Sequence, residues 1–189
     1  MSACHIPAAR SYVLAVSISP GGIPKRPQES TRALVGGLMG DGRNHAKHIR
    51  PDRALSLWDH EILLQLVAEG FQLTPGAAGE NLTVCALNVQ QLSPGTLLRV
   101  GDVVLKLEQP RKPCYVLDAI DPRLKEVIVG RCGYMASVLR VGTLRPGMSI
   151  DVIPLTDIDH AVESVPAWND VESPPGTIAN HMLTGPAVG

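Results

Sequence analysis

Aromatic residues are scarce, with one Phe, two Trp and three Tyr in 189 residues. Val, Leu, Ile and Ala must therefore build the core, and the aromatic platforms that stack single-stranded nucleic acid are missing. An excess of one charge is also missing. The formal net charge of −1 excludes the large basic surplus of a dedicated DNA-binding domain. No apolar run approaches the roughly 20 residues that cross a bilayer. The apolar segment Tyr12–Ile18 is short and has no small-residue cleavage site behind it, so no signal peptide is expected. Four cysteines without short paired spacing do not make a disulfide scaffold. The sequence carries no G-x-S-x-G, no Walker A loop and no G-x-G-x-x-G opening a helix. These absences predict a cytoplasmic protein with reduced thiols and with no membrane or nucleic-acid partner.

What is present reads as a strand-rich globular body. Hydrophobic residues make up 44% and charged residues 19%, and a chain this long buries an ordinary core. Eighteen Gly and 16 Pro punctuate short apolar runs. Strands are expected over Tyr12–Ile18, Ala33–Met39, Ala54–Trp58, Leu82–Leu87, Leu97–Val100, Val103–Leu107, Cys114–Leu117, Tyr134–Leu139 and Met148–Ile153. Turn signals separate several of them, at Ser93-Pro94-Gly95, Val100-Gly101-Asp102 and Arg145-Pro146-Gly147. One helix is expected over Asp59–Glu69, with Ile62, Leu63, Leu66 and Val67 on its inner face. Ser56 or Asp59 is placed to cap its start, and Gly70 to stop it. After residue 153 the character changes. Residues 151–189 hold six acidic residues and no Lys or Arg, with Ser173-Pro174-Pro175-Gly176 among them. Residues 1–153 are read as the folded domain and 154–189 as an acidic appendage.

Charge is uneven at the front. From Lys25 to Arg53 there are seven Lys or Arg against three acidic residues, and Arg111-Lys112 adds a later basic pair. Brought together, they would form an anion pocket; left apart, they are solvated surface. His45 and His48 have H-x-x-H spacing, but no further zinc motif accompanies them. Cys85 reads as a small core hydrophobe. Cys132, between Gly130-Arg131 and Gly133, reads as part of a turn or a close backbone approach. Cys114 follows Arg111-Lys112-Pro113. Adjacent cations favour thiolate over thiol, the condition for a nucleophile or a soft-metal ligand; the alternative is an inert, half-buried Cys at a strand start. Glu80 and Asn81 either satisfy backbone donors at a tight turn or line a pocket.

Several segments in order resemble the MOSC family, the module named for the C-terminal domain of molybdenum cofactor sulfurases. They are Gly21-Gly22-Ile23-Pro24-Lys25-Arg26-Pro27, Gly37-Leu38-Met39-Gly40-Asp41, His48 with Pro51-Asp52-Arg53-Ala54-Leu55, and Gly79-Glu80-Asn81-Leu82-Thr83. Leu98-Arg99-Val100-Gly101-Asp102, Pro113-Cys114 and Gly133-Tyr134-Met135-Ala136-Ser137-Val138-Leu139 continue the series, over about residues 13–153. The resemblance implies a mainly β fold, a bent sheet closed as a β-barrel with a few short helices. It implies that Cys114 carries sulfur as a persulfide or ligates molybdenum of a pterin cofactor (molybdopterin). It further implies that Lys25, Asp41, His48, Arg53, Glu80 and Asn81, with the basic pair Arg111 and Lys112, hold that cofactor or a similar small anion. The alternatives are that Asp41 orients Arg53 or His48 without touching ligand, and that Asn81 bonds turn backbone. The sequence departs from the family where Ile49-Arg50 replaces two glycines.

Two functions of different class follow. One is an oxidoreductase or sulfur-transfer protein dependent on Cys114, served by a sulfur or electron donor protein and acting on N-hydroxylated or sulfur compounds. The other is a non-catalytic module that binds an anionic cofactor or an acidic partner. A plain assembly role for the acidic tail is a third, and the oligomeric state is left open.

Overall fold

The computed structural model describes residues 10–42 and 50–154. Cys4, and the readings on His45 and His48, on Ile49 and on the tail after residue 154, lie outside the described residues. Eleven strands are described: β1 Tyr12–Ile18, β2 Arg26–Gln28, β3 Thr31–Leu34, β4 Gly37–Leu38, β5 Leu55–Asp59, β6 Leu82–Cys85, β7 Leu97–Val100, β8 Val103–Pro110, β9 Tyr134–Arg140, β10 Gly142–Leu144 and β11 Asp151–Ile153. Two helices accompany them, α1 His60–Ala68 and the single turn α2 Leu124–Val127.

Eight strands form one sheet in the order β11-β7-β8-β9-β5-β6-β1-β2, and β10-β3-β4 form a second. Neighbours in the large sheet are antiparallel except β5 and β6, which are parallel and joined by a crossover through α1. Those two strands are buried along their whole length, as strands covered on both faces must be. Register shifts between β8 and β9 and between β1 and β6 supply the bulges that bend the sheet. The ladder itself does not close. The start of β1, next to the short end strand β2, instead meets the segment before β11 through a bridge between Tyr12 and Ser149. Val13 N–H donates to Met148 O at 2.9 Å and Ile150 N–H to Ser11 O at 2.8 Å.

Two apolar clusters divide the interior. One fills the inside of the bent sheet with Val13, Val16, Leu55, Leu57, Leu82, Val84, Leu98, Leu105, Leu107 and Val138 among others. The other lies under the helical segments and holds Trp58, Leu63, Leu66, Phe71, Leu117, Leu124, Ile128 and Cys132. Alternation along β5 sends Leu57 to the first and Trp58 to the second. Trp58 is fully buried, and its Nε1–H reaches Arg131 O at 2.8 Å, the polar handle a buried indole needs.

Several expectations are corrected. Ala33–Met39 is not one strand; β3 and β4 form a tight hairpin with Leu34 opposite Gly37. Cys114–Leu117 is not a strand. Pro113 carries no N–H for the ladder, and Leu117 N–H turns back to Cys114 O at 3.1 Å. A 3-10 turn over Tyr115–Ala119 results. In α1, Leu63 and Leu66 are buried but Val67 is exposed. Asp59 occupies the N-cap position of α1 without capping it. Its carboxylate instead accepts from the backbone N–H groups of Val89 and Gln90. Gly70 does end the helix region, at φ +99°.

Candidate functional site

A cleft of about 510 Å³ collects side chains from six separate stretches of chain, five of which carry polar groups singled out in the sequence. Lys25 comes from the segment before β2 and Asp41 from the turn after β4. Arg53 comes from the 3-10 turn Pro51–Arg53, Asn81 from the residue before β6, and Arg111, Lys112 and Cys114 from the segment after β8. Ile23, Pro110, Tyr115, Val116 and Met135 give it an apolar side. The structure thus brings together seven of the residues singled out in the sequence. His48 lies outside the described residues, and Glu80 lies behind the cleft wall, not on its surface.

Cys114 is exposed, whereas Cys85 and Cys132 are buried. Burial pushes both of those thiols up and keeps them in the inert thiol form. Pro110 ends β8, and Arg111 N–H pairs with Gly133 O at 2.8 Å. That pairing leaves the chain from Lys112 onward free to cross the cleft. Gly133 permits the approach. At φ +81°, a Cβ there would sit 2.0 Å from Leu57 O, so no other residue fits without moving backbone.

Asp41 and Asn81 face each other as a polar hub. The Asp41 carboxylate pairs with the Lys25 ammonium and accepts from Ser19 N–H at 3.0 Å. Asn81 Nδ2 donates to Asp41 Oδ2 at 2.9 Å and to Ser17 O at 3.2 Å, while its Oδ1 accepts from Ser56 N–H at 3.2 Å. Both amide hydrogens are engaged, so Asn81 has no donor left for a ligand. Of the alternatives read from the sequence, Asn81 bonds backbone, and Asp41 orients Lys25, not Arg53. Ser17, Ser19 and Ser56 complete the hub, mostly through main-chain groups, which no sequence pattern announces.

Glu80 is fully buried. Its Oε1 accepts from Gly76 N–H at 2.6 Å and from Thr83 Oγ1 at 3.1 Å, while Oε2 has no hydrogen-bond partner. Burial pushes its carboxyl up from the ordinary range, against the smaller pull of those bonds and of Arg111. The turn it holds supports the site twice. Gly76 O accepts from Lys25 N–H at 2.9 Å, and Ala78 O accepts from Arg111 Nη2.

Two cationic groups reach the cleft with N–H groups unused. Arg53 Nε and Arg111 Nη1 are buried and have no hydrogen-bond partner. Buried guanidinium donors left open are costly unless an acceptor completes them, and the forked shape of the group suits an oxyanion. Among the described residues, no group of three or more His, Cys, Asp or Glu is placed to hold a metal ion. No helix of the described residues is long and apolar enough to cross a membrane.

The MOSC domain model matches residues 44–151. The chain is 30% identical over 142 residues to the uncharacterized protein YflK of Bacillus subtilis (strain 168), covering 70% of this chain and 63% of that protein. It is 28% identical over 143 residues to protein YiiM of Escherichia coli (strain K12), covering 70% and 64%. It is also 29% identical over 126 residues to a protein of Gibberella moniliformis named Reductase, covering 62% of this chain and 22% of that one. The chain thus spans less than two thirds of the length of these relatives. Among solved structures, YiiM from Geobacillus stearothermophilus superposes with TM-score 0.64 at 22% identity, covering 76% of this chain and 75% of that one. YiiM from Escherichia coli superposes with TM-score 0.62 at 24% identity, covering 76% and 70%. Both share the bent, mainly β fold. The chain belongs to the MOSC domain family, which is linked to the molybdenum cofactor.

Proposed function

We propose that this protein is a cysteine-dependent MOSC protein whose cleft holds the molybdenum cofactor, with Cys114 as the reactive or metal-binding thiol. The observation that carries this reading is the coincidence, in one cleft, of an exposed Cys114 with the open donors Arg53 Nε and Arg111 Nη1. The residues fit the group. A thiolate suits a soft metal centre, guanidinium forks suit a phosphate, and about 510 Å³ lies within the range of small-molecule sites.

In this reading Arg53, Arg111 and Lys112 bind the anionic end of the cofactor. Lys25, held by Asp41, would add positive charge, and Ile23, Val116 and Met135 would keep water from the bound group. When bound, the cofactor supplies two-electron redox chemistry at its metal. The relative named Reductase supports an oxidoreductase role, for which N-hydroxylated or sulfur compounds are the proposed substrates.

Cys114 also suits sulfur transfer. Its thiolate would attack the outer sulfur of a donor protein's persulfide. The donor's S–S bond breaks, the donor cysteine leaves as thiolate, and Cys114 retains the transferred sulfur as a persulfide.

The test is purification from cells that make molybdopterin, under non-reducing conditions, with elemental analysis and intact mass measurement. Stoichiometric molybdenum that is lost in Cys114→Ser is the expected result; a one-sulfur mass increase on Cys114 without metal assigns sulfur transfer. Finding neither, or finding molybdenum retained in full by Cys114→Ser, overturns the role given to this cysteine.

A further inference from the structure

Glu80 and Arg111 each leave one polar atom open in the protein interior: Glu80 Oε2 and Arg111 Nη1. Arg111 uses Nη2 on Ala78 O, within the very turn that Glu80 Oε1 holds through Gly76 N–H. The guanidinium pulls on the carboxyl electrostatically, and both side chains bond to the backbone of the same 76–79 turn. An ionised carboxylate with a bare oxygen in a fully buried place is costly. A buried guanidinium N–H without an acceptor is costly as well, and Arg111 is one of the residues that line the cleft. Each group answers the other only if Glu80 is charged; an anion in the cleft answers Arg111 and leaves Glu80 better off with a proton.

We propose that the cleft takes up a proton together with its anion, and that Glu80 is where the proton goes. Glu80 is thus a positioning residue that shares Arg111 with the ligand. With the cleft empty, Glu80 gives up its proton and balances the charge of Arg111. With an oxyanion on Arg111 Nη1, Glu80 becomes neutral and the turn keeps its shape through Oε1 alone. By linkage, anion affinity rises as pH falls, at most tenfold per pH unit for one proton.

The other groups facing Glu80 do not supply this proton. From β6, Thr83 donates its hydroxyl to Oε1. From the segment before β9, the buried Cys132 thiol is pushed up and stays protonated. From β1, the Ser17 hydroxyl lies 3.0 Å from where a Cβ on Gly76 would be and has no hydrogen-bond partner. The Lys25 ammonium is engaged by Asp41.

This inference rests on reading the cleft as an anion site. Sulfate is a suitable probe because it does not titrate near neutrality. Its binding is measured by calorimetry on the full chain between about pH 5.5 and 8.5, in buffers of different ionisation enthalpy that count protons. Wild type should lose up to tenfold in affinity per pH unit on the alkaline side and take up as much as one proton per sulfate. Glu80→Gln, a neutral isostere that keeps the acceptor for Gly76, should bind sulfate tightly with neither slope nor uptake; Arg111→Gln should bind weakly at every pH. On wild type alone, the infrared carbonyl band of a protonated carboxyl should grow when sulfate is added. A slope and uptake unchanged in Glu80→Gln overturn the proposal and leave the anion site standing. Sulfate failing to bind both wild type and Glu80→Gln overturns both. A carboxyl band that does not respond to sulfate overturns the proposal without any variant.

Discussion

Replacing Asn81 with Asp changes one amide to a carboxyl and should be worse than removing the side chain's polarity altogether. Asn81 Nδ2 stands 2.9 Å from Asp41 Oδ2 and 3.2 Å from Ser17 O. An ionised Asp at this position would present negative oxygen to both. Repulsion of that kind is relieved by protonating one carboxyl of the pair. Holding an Asp of ordinary pKa about 3.9 protonated at pH 7 costs about 4 kcal/mol. Once protonated, the new carboxyl again donates to Asp41. The penalty should therefore grow as pH rises and shrink by about 1.4 kcal/mol for each pH unit of acidification below neutrality. Asn81→Ala should cost about 2–4 kcal/mol instead, from Ser56 N–H and Ser17 O left buried without partners, with no such dependence on pH. Urea unfolding of the three proteins at pH 7 and pH 5 measures this. An Asn81→Asp protein as stable as wild type at pH 7, or one whose deficit is equal at both pH values, refutes the assignment of Asn81 as a double donor within the hub.

Three other outcomes follow from the same structure. Because Glu80 is pushed up by burial, the folded state binds more protons than the unfolded one between the ordinary carboxylate value and the raised one. Stability should fall as pH rises through that window, and Glu80→Gln should remove this slope, read as the difference between the two proteins' unfolding free energies against pH. Gly133→Ala should destabilise by about 3–5 kcal/mol, combining a left-handed backbone with a clash against main chain. A midpoint shift worth under 1 kcal/mol would mean that the Leu57 approach is not as drawn. Brief alkylation of the native protein followed by peptide mapping should modify Cys114 and spare Cys85 and Cys132; labelling of Cys132 at the same rate would contradict its burial.

Much of the fold was readable from residue order. The short, mostly apolar runs around β5 and β6 announce strands, in which Ser56, Asp59 and Thr83 turn out to be buried with the rest, and the turn signal Val100-Gly101-Asp102 announces the β7–β8 hairpin, whose register pairs Val100 with Val103. The run Cys114–Leu117 misled because an apolar tetrapeptide has no period of its own. Pro113 removes a ladder donor, and Leu117 found its core beneath the helices. The family motifs drew attention to side chains that the structure gathers at one cleft, but not to their division of labour. Lys25, Arg53, Arg111, Lys112 and Cys114 line the cleft together with Asp41 and Asn81, but the last two spend their polar groups in holding it. That distinction depends on contacts between residues 16, 40 and 64 positions apart, which local pattern does not encode. The resemblance carried Glu80 over as a ligand contact. Read from its own residues, the segment Gly79-Glu80-Asn81 was also a tight turn with satisfied donors, and that is where its side chain is found.

The seam at which β1 meets residues 147–150 has a topological consequence. Tyr12 bridges Ser149, and Arg10 lies 3.9 Å from Asp151 in an ion pair across the same seam. Entry and exit of the described body are thus neighbours, and the order in which its strands are threaded is not what holds them in register. A circular permutant, joined from residue 154 to residue 10 by a short flexible linker and opened at the exposed Ser93-Pro94-Gly95 turn, should rebuild the same sheet. Segments attached directly at residues 10 and 154 would both leave from this seam, close to one another.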